Sequence, residues 1–151
     1  MITRLVRHLH YRFADFRRVR SAWITCPARD LDAHESVGHT IARHIRISPD
    51  DLAHRLQTEG RRAVSAFWDS AVAAASINYA VAAEFDQLAD WFFGSAEKRL
   101  RLDVLTPGRA TIGYGLLADD PRMRFSREVR VVFERFDDKL FIRTAFPRVS
   151  E

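Results

Sequence analysis

The chain is poor in several things, and each shortage excludes something. It has one cysteine in 151 residues, Cys26, so no internal disulfide can form and the fold must stand on its core. No apolar run reaches the 18 residues or so that a membrane-spanning helix needs, and stable membrane insertion is not expected. The first residues, MITRLVRHLHYRF, interrupt every apolar stretch with Arg or His, which is not the pattern of a signal peptide. Lysine is nearly absent. Of 24 basic residues, 22 are arginine. There is no glycine-rich phosphate loop, no G-x-S-x-G and no cysteine–histidine pattern, so P-loop chemistry and nucleophilic triads are excluded.

What is present describes one domain's worth of chain, able to bury about 70% of its unfolded surface. Apolar residues make up 47% and charged residues 29%, ordinary values for a globular protein. The net charge is +4, a balance that suits a polyanion such as nucleic acid, or an acidic protein. The charge is uneven: residues 1–30 hold seven arginines against Asp15 and Asp30. Helical spacing of Ile2, Leu5, Val6, Leu9, Phe13 and Phe16 predicts a basic amphipathic helix there. Thr25-Cys26-Pro27 ends that segment. Residues 1–30 are therefore expected to be a leader or appendage, with the functional domain over 31–151.

The stretch Ala33–His44 holds three of the six histidines, His34, His39 and His44, each five residues after the last. Asp32 and Glu35 form a capping-box pair that opens a helix through it. On a helix, two ligands of one metal want a spacing of four. Steps of five turn each imidazole about 140° from the one before, and no cysteine or carboxylate cluster completes a site. Neither metal nor cofactor is expected. What remains for such a histidine is acid–base chemistry, with an arginine stabilising negative charge on phosphorus.

Downstream, Ser48-Pro49-Asp50-Asp51 is a helix start: N-cap, proline in the first turn, acids against the dipole. Gly60 stops that helix. A third helix is predicted from about residue 69 to 93. The period then changes to two. Strands are predicted over 99–105, 110–118, 128–136 and 140–146, separated by Thr106-Pro107-Gly108-Arg109, Asp119-Asp120-Pro121-Arg122 and Asp137-Asp138-Lys139. Helices first and an antiparallel meander second make an α+β fold, N-terminal helices on a sheet of about four strands.

Several motifs carry a family resemblance. Gly38-His39-Thr40-Ile41-Ala42-Arg43-His44-Ile45, then Asp51-Leu52 and Arg55-Leu56, resemble the opening of the bacterial ribonuclease A-like toxin domain. That domain ends contact-dependent inhibition (CdiA) proteins and related polymorphic toxins. Ala66-Phe67, Trp91, Ile112-Gly113-Tyr114-Gly115 and Thr144-Ala145-Phe146-Pro147 follow in order, so the likeness covers roughly residues 31–148. It implies a disulfide-free RNase with an RNase A-like, kidney-shaped fold, monomeric when free, bound by a cognate immunity protein in the producer. It implies an effector acting on RNA in a target bacterium's cytoplasm. Position by position, it assigns catalysis to His44, Arg55 and Thr144, with His39 in reserve, and metal-independent transesterification to a 2′,3′-cyclic phosphate. The family usually has tyrosine where this chain has Phe146, and a second glycine where it has Val37. Phenylalanine donates neither a proton nor a hydrogen bond, so weaker or rearranged activity is expected if that position is catalytic. The alternatives from other classes are a non-catalytic nucleic-acid-binding module and an inactive toxin homologue.

Overall fold

The structure is a computed structural model that describes residues 40–136 and 139–150. The predicted basic helix, the Asp32/Glu35 capping box, Cys26, His34 and His39 lie outside the described residues. Among the described residues, four helices and six strands follow in chain order. They are α1 (Thr40–His44), α2 (Pro49–Thr58), β1 (Ala63–Phe67), α3 (Ser70–Ala83), α4 (Phe85–Gly94), β2 (Arg99–Leu105), β3 (Gly113–Leu117), β4 (Asp120–Ser126), β5 (Glu128–Phe136) and β6 (Lys139–Pro147). The strands form two antiparallel sheets in the orders β1-β3-β4 and β2-β5-β6. The α+β architecture is the one predicted, with six strands in two sheets where about four in one were expected.

Local chemistry explains most boundaries. Ser48 accepts from the Asp51 N–H at 3.1 Å and Pro49 opens α2. Gly60, at φ +61°, takes the left-handed turn after the helix, a conformation that costs glycine little. Asp69 caps α3 by accepting from the Val72 N–H at 2.8 Å. The predicted 69–93 helix divides at Glu84, although neither proline nor glycine marks the break. After it, α4 buries Leu88, Trp91 and Phe92. Its C-terminal end is held by Arg135, which donates to the carbonyls of Phe92 and Ser95.

Two strands escape the period-two pattern. In β1, Val64 to Phe67 are all buried, the polar Ser65 included, so no exposed residue alternates to reveal the strand. In β4, Asp120-Pro121 reads as a break, yet Pro121 sits in the strand. β4 is the outer strand of its sheet, where a missing N–H costs no ladder bond.

The larger core lies between α3, α4 and the inner face of β2-β5-β6, with Phe67, Ile77, Leu88, Leu102, Val131, Phe133 and Ile142 buried in it. A smaller one joins Leu52 of α2 to Val64, Ala66 and Leu116. Close approach at β3 brings the two halves together. A Cβ on Gly113 would overlap the Ala66 carbonyl and the Pro147 ring, and one on Gly115 would overlap the Val64 carbonyl. β1 and β6 are each the outer strand of a sheet. α1 covers both edges: the Thr40 hydroxyl accepts from the Ala145 N–H at 3.0 Å, while Ile45 bridges Phe67 in parallel.

Candidate active site

The seam between β1 and β6 opens into a cleft of about 570 Å³, lined by His44, Arg55, Thr144 and Phe146 together. They arrive from three elements, His44 from α1, Arg55 from α2, and Thr144 and Phe146 from β6, and each is held for a local reason.

His44 ends α1 and is 8% exposed. Its Nδ1 lies 3.0 Å from the Ser65 carbonyl of β1. A carbonyl only accepts, so Nδ1 carries the hydrogen in this contact and the lone pair of the neutral ring belongs to Nε2. The ring stacks on Phe146, centroids 5.0 Å apart and planes 30° from parallel. Bond and stack together set both tautomer and ring plane. Just beyond, Arg46 adopts φ 54°, a left-handed backbone that costs a non-glycine residue about 1 kcal/mol or more. Its N–H donates to the Phe67 carbonyl at 3.2 Å, and the Tyr114 hydroxyl donates to the Ile47 carbonyl at 2.7 Å. Burial pushes the Tyr114 phenol above its ordinary value.

Arg55 projects from α2. Its Nη1 donates to the Arg43 carbonyl at 2.6 Å, the residue before His44, and its Nε to Glu59 at 3.2 Å. Glu59 also pairs with Arg43 and, at 3.6 Å, with Arg61. Burial alone would raise the Glu59 carboxyl. The Arg55 hydrogen bond and the charges of Arg43 and Arg55 outweigh it and hold the group below its usual value.

Thr144 of β6 is 9% exposed, and its hydroxyl is buried with no hydrogen-bond partner among the described residues. Such a group costs about 1–3 kcal/mol in a fold with nothing to satisfy it, so an orphan hydroxyl in a cleft wall is a ready contact for a ligand.

Around these four the cleft is lined by eight arginines and no acidic residue. The carboxylates that pair with these arginines are Glu59, Asp103, Glu128 and Glu134. Asp103 holds Arg130 in a fork, with 2.6 and 2.8 Å bonds, and the Arg130 guanidinium lies 5.9 Å from the Phe146 ring centre. The Arg130 hydrogen bond drives the Asp103 carboxyl below its ordinary value against an opposing burial effect. Among the described residues, no three His, Cys, Asp or Glu side chains converge as a metal site.

Of the residues nominated from sequence, His44, Arg55, Thr144 and Phe146 come together, and His39 is outside the described residues. The Ser65 carbonyl, Glu59 and the arginine walls were not legible. A backbone acceptor has no sequence signal.

This geometry meets a known family. The profile of the bacterial CdiA-CT RNAse A domain matches residues 38–147. The chain belongs to that family. Its members are ribonuclease toxin domains of contact-dependent inhibition systems. A chain of the CdiA-CT/CdiI complex from Y. kristensenii superposes with a TM-score of 0.68 at 22% identity, covering 74% of this chain and 100% of that one. At that identity it bears on the fold, which the two share. Comparison with curated proteins gives no match. The family match begins inside the histidine-rich stretch and takes in all four cleft residues.

Proposed function

We propose that this CdiA-CT RNase domain cleaves RNA by transesterification without a metal ion. The observation that carries the reading is the meeting of His44, Arg55 and Thr144, from segments about a hundred residues apart, in one arginine-lined cleft. The substrate's 2′-oxygen attacks its own phosphorus, and the 2′-hydroxyl proton passes to Nε2 of His44. Arg55, held by the Arg43 carbonyl and Glu59, stabilises the charge that grows on the phosphorane oxygens. The P–O5′ bond breaks, leaving a 2′,3′-cyclic phosphate, and the 5′-oxygen takes a proton from imidazolium or water. The Thr144 hydroxyl bonds a phosphate oxygen or a base edge. Phe146 presents an aromatic face to a base and supplies no proton. His39 is the reserve proton carrier.

The same reading makes the domain a delivered effector. It acts in the cytoplasm of a target bacterium, is monomeric when free, and is neutralised in the producer by an immunity protein, the counterpart of CdiI in the Y. kristensenii complex. Residues 1–30 are an appendage to the catalytic domain at 31–151. A second reading, an inactive homologue that binds RNA without cutting it, draws on Phe146, which packs a proton-free ring against His44.

Incubation of the purified chain with total RNA, with and without EDTA, tests both. Fragments ending in 2′,3′-cyclic phosphate in both tubes are expected. Intact RNA would sink the nuclease reading, and cleavage abolished by EDTA would sink the metal-free mechanism.

A further inference from the structure

The cleft is larger than one phosphodiester requires. Beyond Thr144 and Phe146 it runs over Val132 and Arg130 of β5 to Arg99 of β2. We infer that the cleft-side face of the β2-β5-β6 sheet is a second RNA subsite, where the strand crosses from the scissile phosphate to Arg99 and Arg101 on β2. The inference rests on the RNA-cleavage reading above and names the path of its substrate.

Register supplies the path. Thr144 stands opposite Val132, which stands opposite Arg101, and Phe146 stands opposite Arg130, opposite Asp103. Directly opposed residues share a face, so each row runs from the candidate catalytic strand β6 to the outer strand β2. With strands about 4.8 Å apart, the crossing is about 10 Å. Alternation turns Leu102 and Val104 into the core and leaves Arg99, Arg101 and Asp103 on the opposite face. The β2 side of this face is charged, with Arg99, Arg101 and Asp103, and Arg130 and Glu134 of β5 carry the charge inward.

The ion pairs on it fall into two kinds. Arg130 is fixed by its fork to Asp103, close to the Phe146 ring. A guanidinium and an aromatic side by side make a stacking platform for an unpaired base. Arg99 and Arg101 are held loosely, at 3.4 Å from Glu134 and 3.9 Å from Asp103, and their side chains are 57% and 64% exposed. Exposed pairs of that geometry contribute little to stability. Each guanidinium keeps donors that can turn toward a phosphate oxygen. Together with Arg130 and Arg143 they set four cations against the two carboxylates Asp103 and Glu134 on the same face. The surplus is positive and continuous with the cleft, which favours a nucleic-acid strand entering from the cleft over an acidic protein seated on the sheet.

The test compares two substrates, a dinucleotide and an octanucleotide with one cleavable linkage, on the wild-type chain and on an Arg99→Ala, Arg101→Ala double variant. The octanucleotide-to-dinucleotide ratio of kcat/KM is expected to fall about tenfold, through KM. The log–log salt slope of octanucleotide binding should flatten by about one for each phosphate that the variant no longer neutralises. An equal loss on both substrates, or no loss on either, overturns the inference; the second is the result if the face serves an acidic protein instead. Should the wild-type chain cut neither substrate, the catalytic reading fails. Anisotropy with a 2′-deoxy octanucleotide then still decides the path: about tenfold weaker binding by the variant supports it, and unchanged binding overturns it.

Discussion

The two walls of the cleft hold their arginines in different ways. On the helical wall three guanidiniums, from Arg43, Arg55 and Arg61, share the single carboxylate of Glu59. On the sheet wall Arg130 is held in a two-bond fork by Asp103, to which Arg101 adds only a looser contact at 3.9 Å. Sharing leaves the helical wall net positive beside His44, where a phosphorane's charge would develop. Forking neutralises Arg130 and makes it a fixed surface. One wall suits electrostatic stabilisation of a changing charge, and the other suits positioning of a constant one.

The largest expected effect breaks the helical wall at its centre. His44→Ala should lower RNA cleavage by about a thousandfold or more, the scale of a missing acid–base group, with circular dichroism showing the fold retained. If cleavage survives, His44 is not the proton carrier. Arg55→Ala should cost about a hundredfold or more in kcat. It also frees the Arg43 carbonyl, so circular dichroism must show the fold retained for the loss to count as chemistry.

Glu59→Gln is a finer probe. It keeps the shape and removes the shared charge, so Arg55 loses its ionic anchor while the cleft becomes more positive. A fall in kcat of about tenfold with an unchanged or lower KM for RNA is expected, the sign that charge placement was disturbed while binding was not. A rise in KM would contradict the sharing of one carboxylate among the three arginines.

The sheet wall should show itself through pH. The Asp103 carboxyl is held below its ordinary value chiefly by the Arg130 hydrogen bond. Its contribution is therefore fully present above the unfolded value near 4 and is lost as pH falls through the lower folded one. In urea unfolding, Asp103→Asn should cost about 1 kcal/mol at pH 7, discounted for solvent screening, and progressively less as the pH is lowered below about 4. The smallest effect belongs to Phe146→Tyr, which restores a donor at the edge of the His44 stack. A rise in cleavage of a few-fold is expected, and no change would assign the position to stacking alone.

Much of this was legible because it follows from short-range chemistry. Ser48-Pro49-Asp50-Asp51 dictates the start of α2, since its cap, ring and charges act within one turn. Alternation dictates β2, β5 and β6, since one face is core and the other is charged. The His44, Arg55, Thr144 and Phe146 positions were identified by a motif resemblance, which composition and periodicity would not have supplied. The break at Glu84, by contrast, has no local breaker, and β1 is buried from Val64 to Phe67 with no exposed residue to set a period.

By itself the sequence determined the fold class, the excess of arginine, the absence of disulfides and which histidine to examine. Only the tertiary structure decided that the Ser65 carbonyl sets His44's tautomer, that Glu59 serves three arginines, and that the Thr144 hydroxyl has no partner among the described residues. The physical reason is common to all three. Each depends on α1 meeting a segment distant in sequence, β1 and β6 for Ser65 and Thr144 and α2 for Glu59, and such an approach leaves no period in the chain.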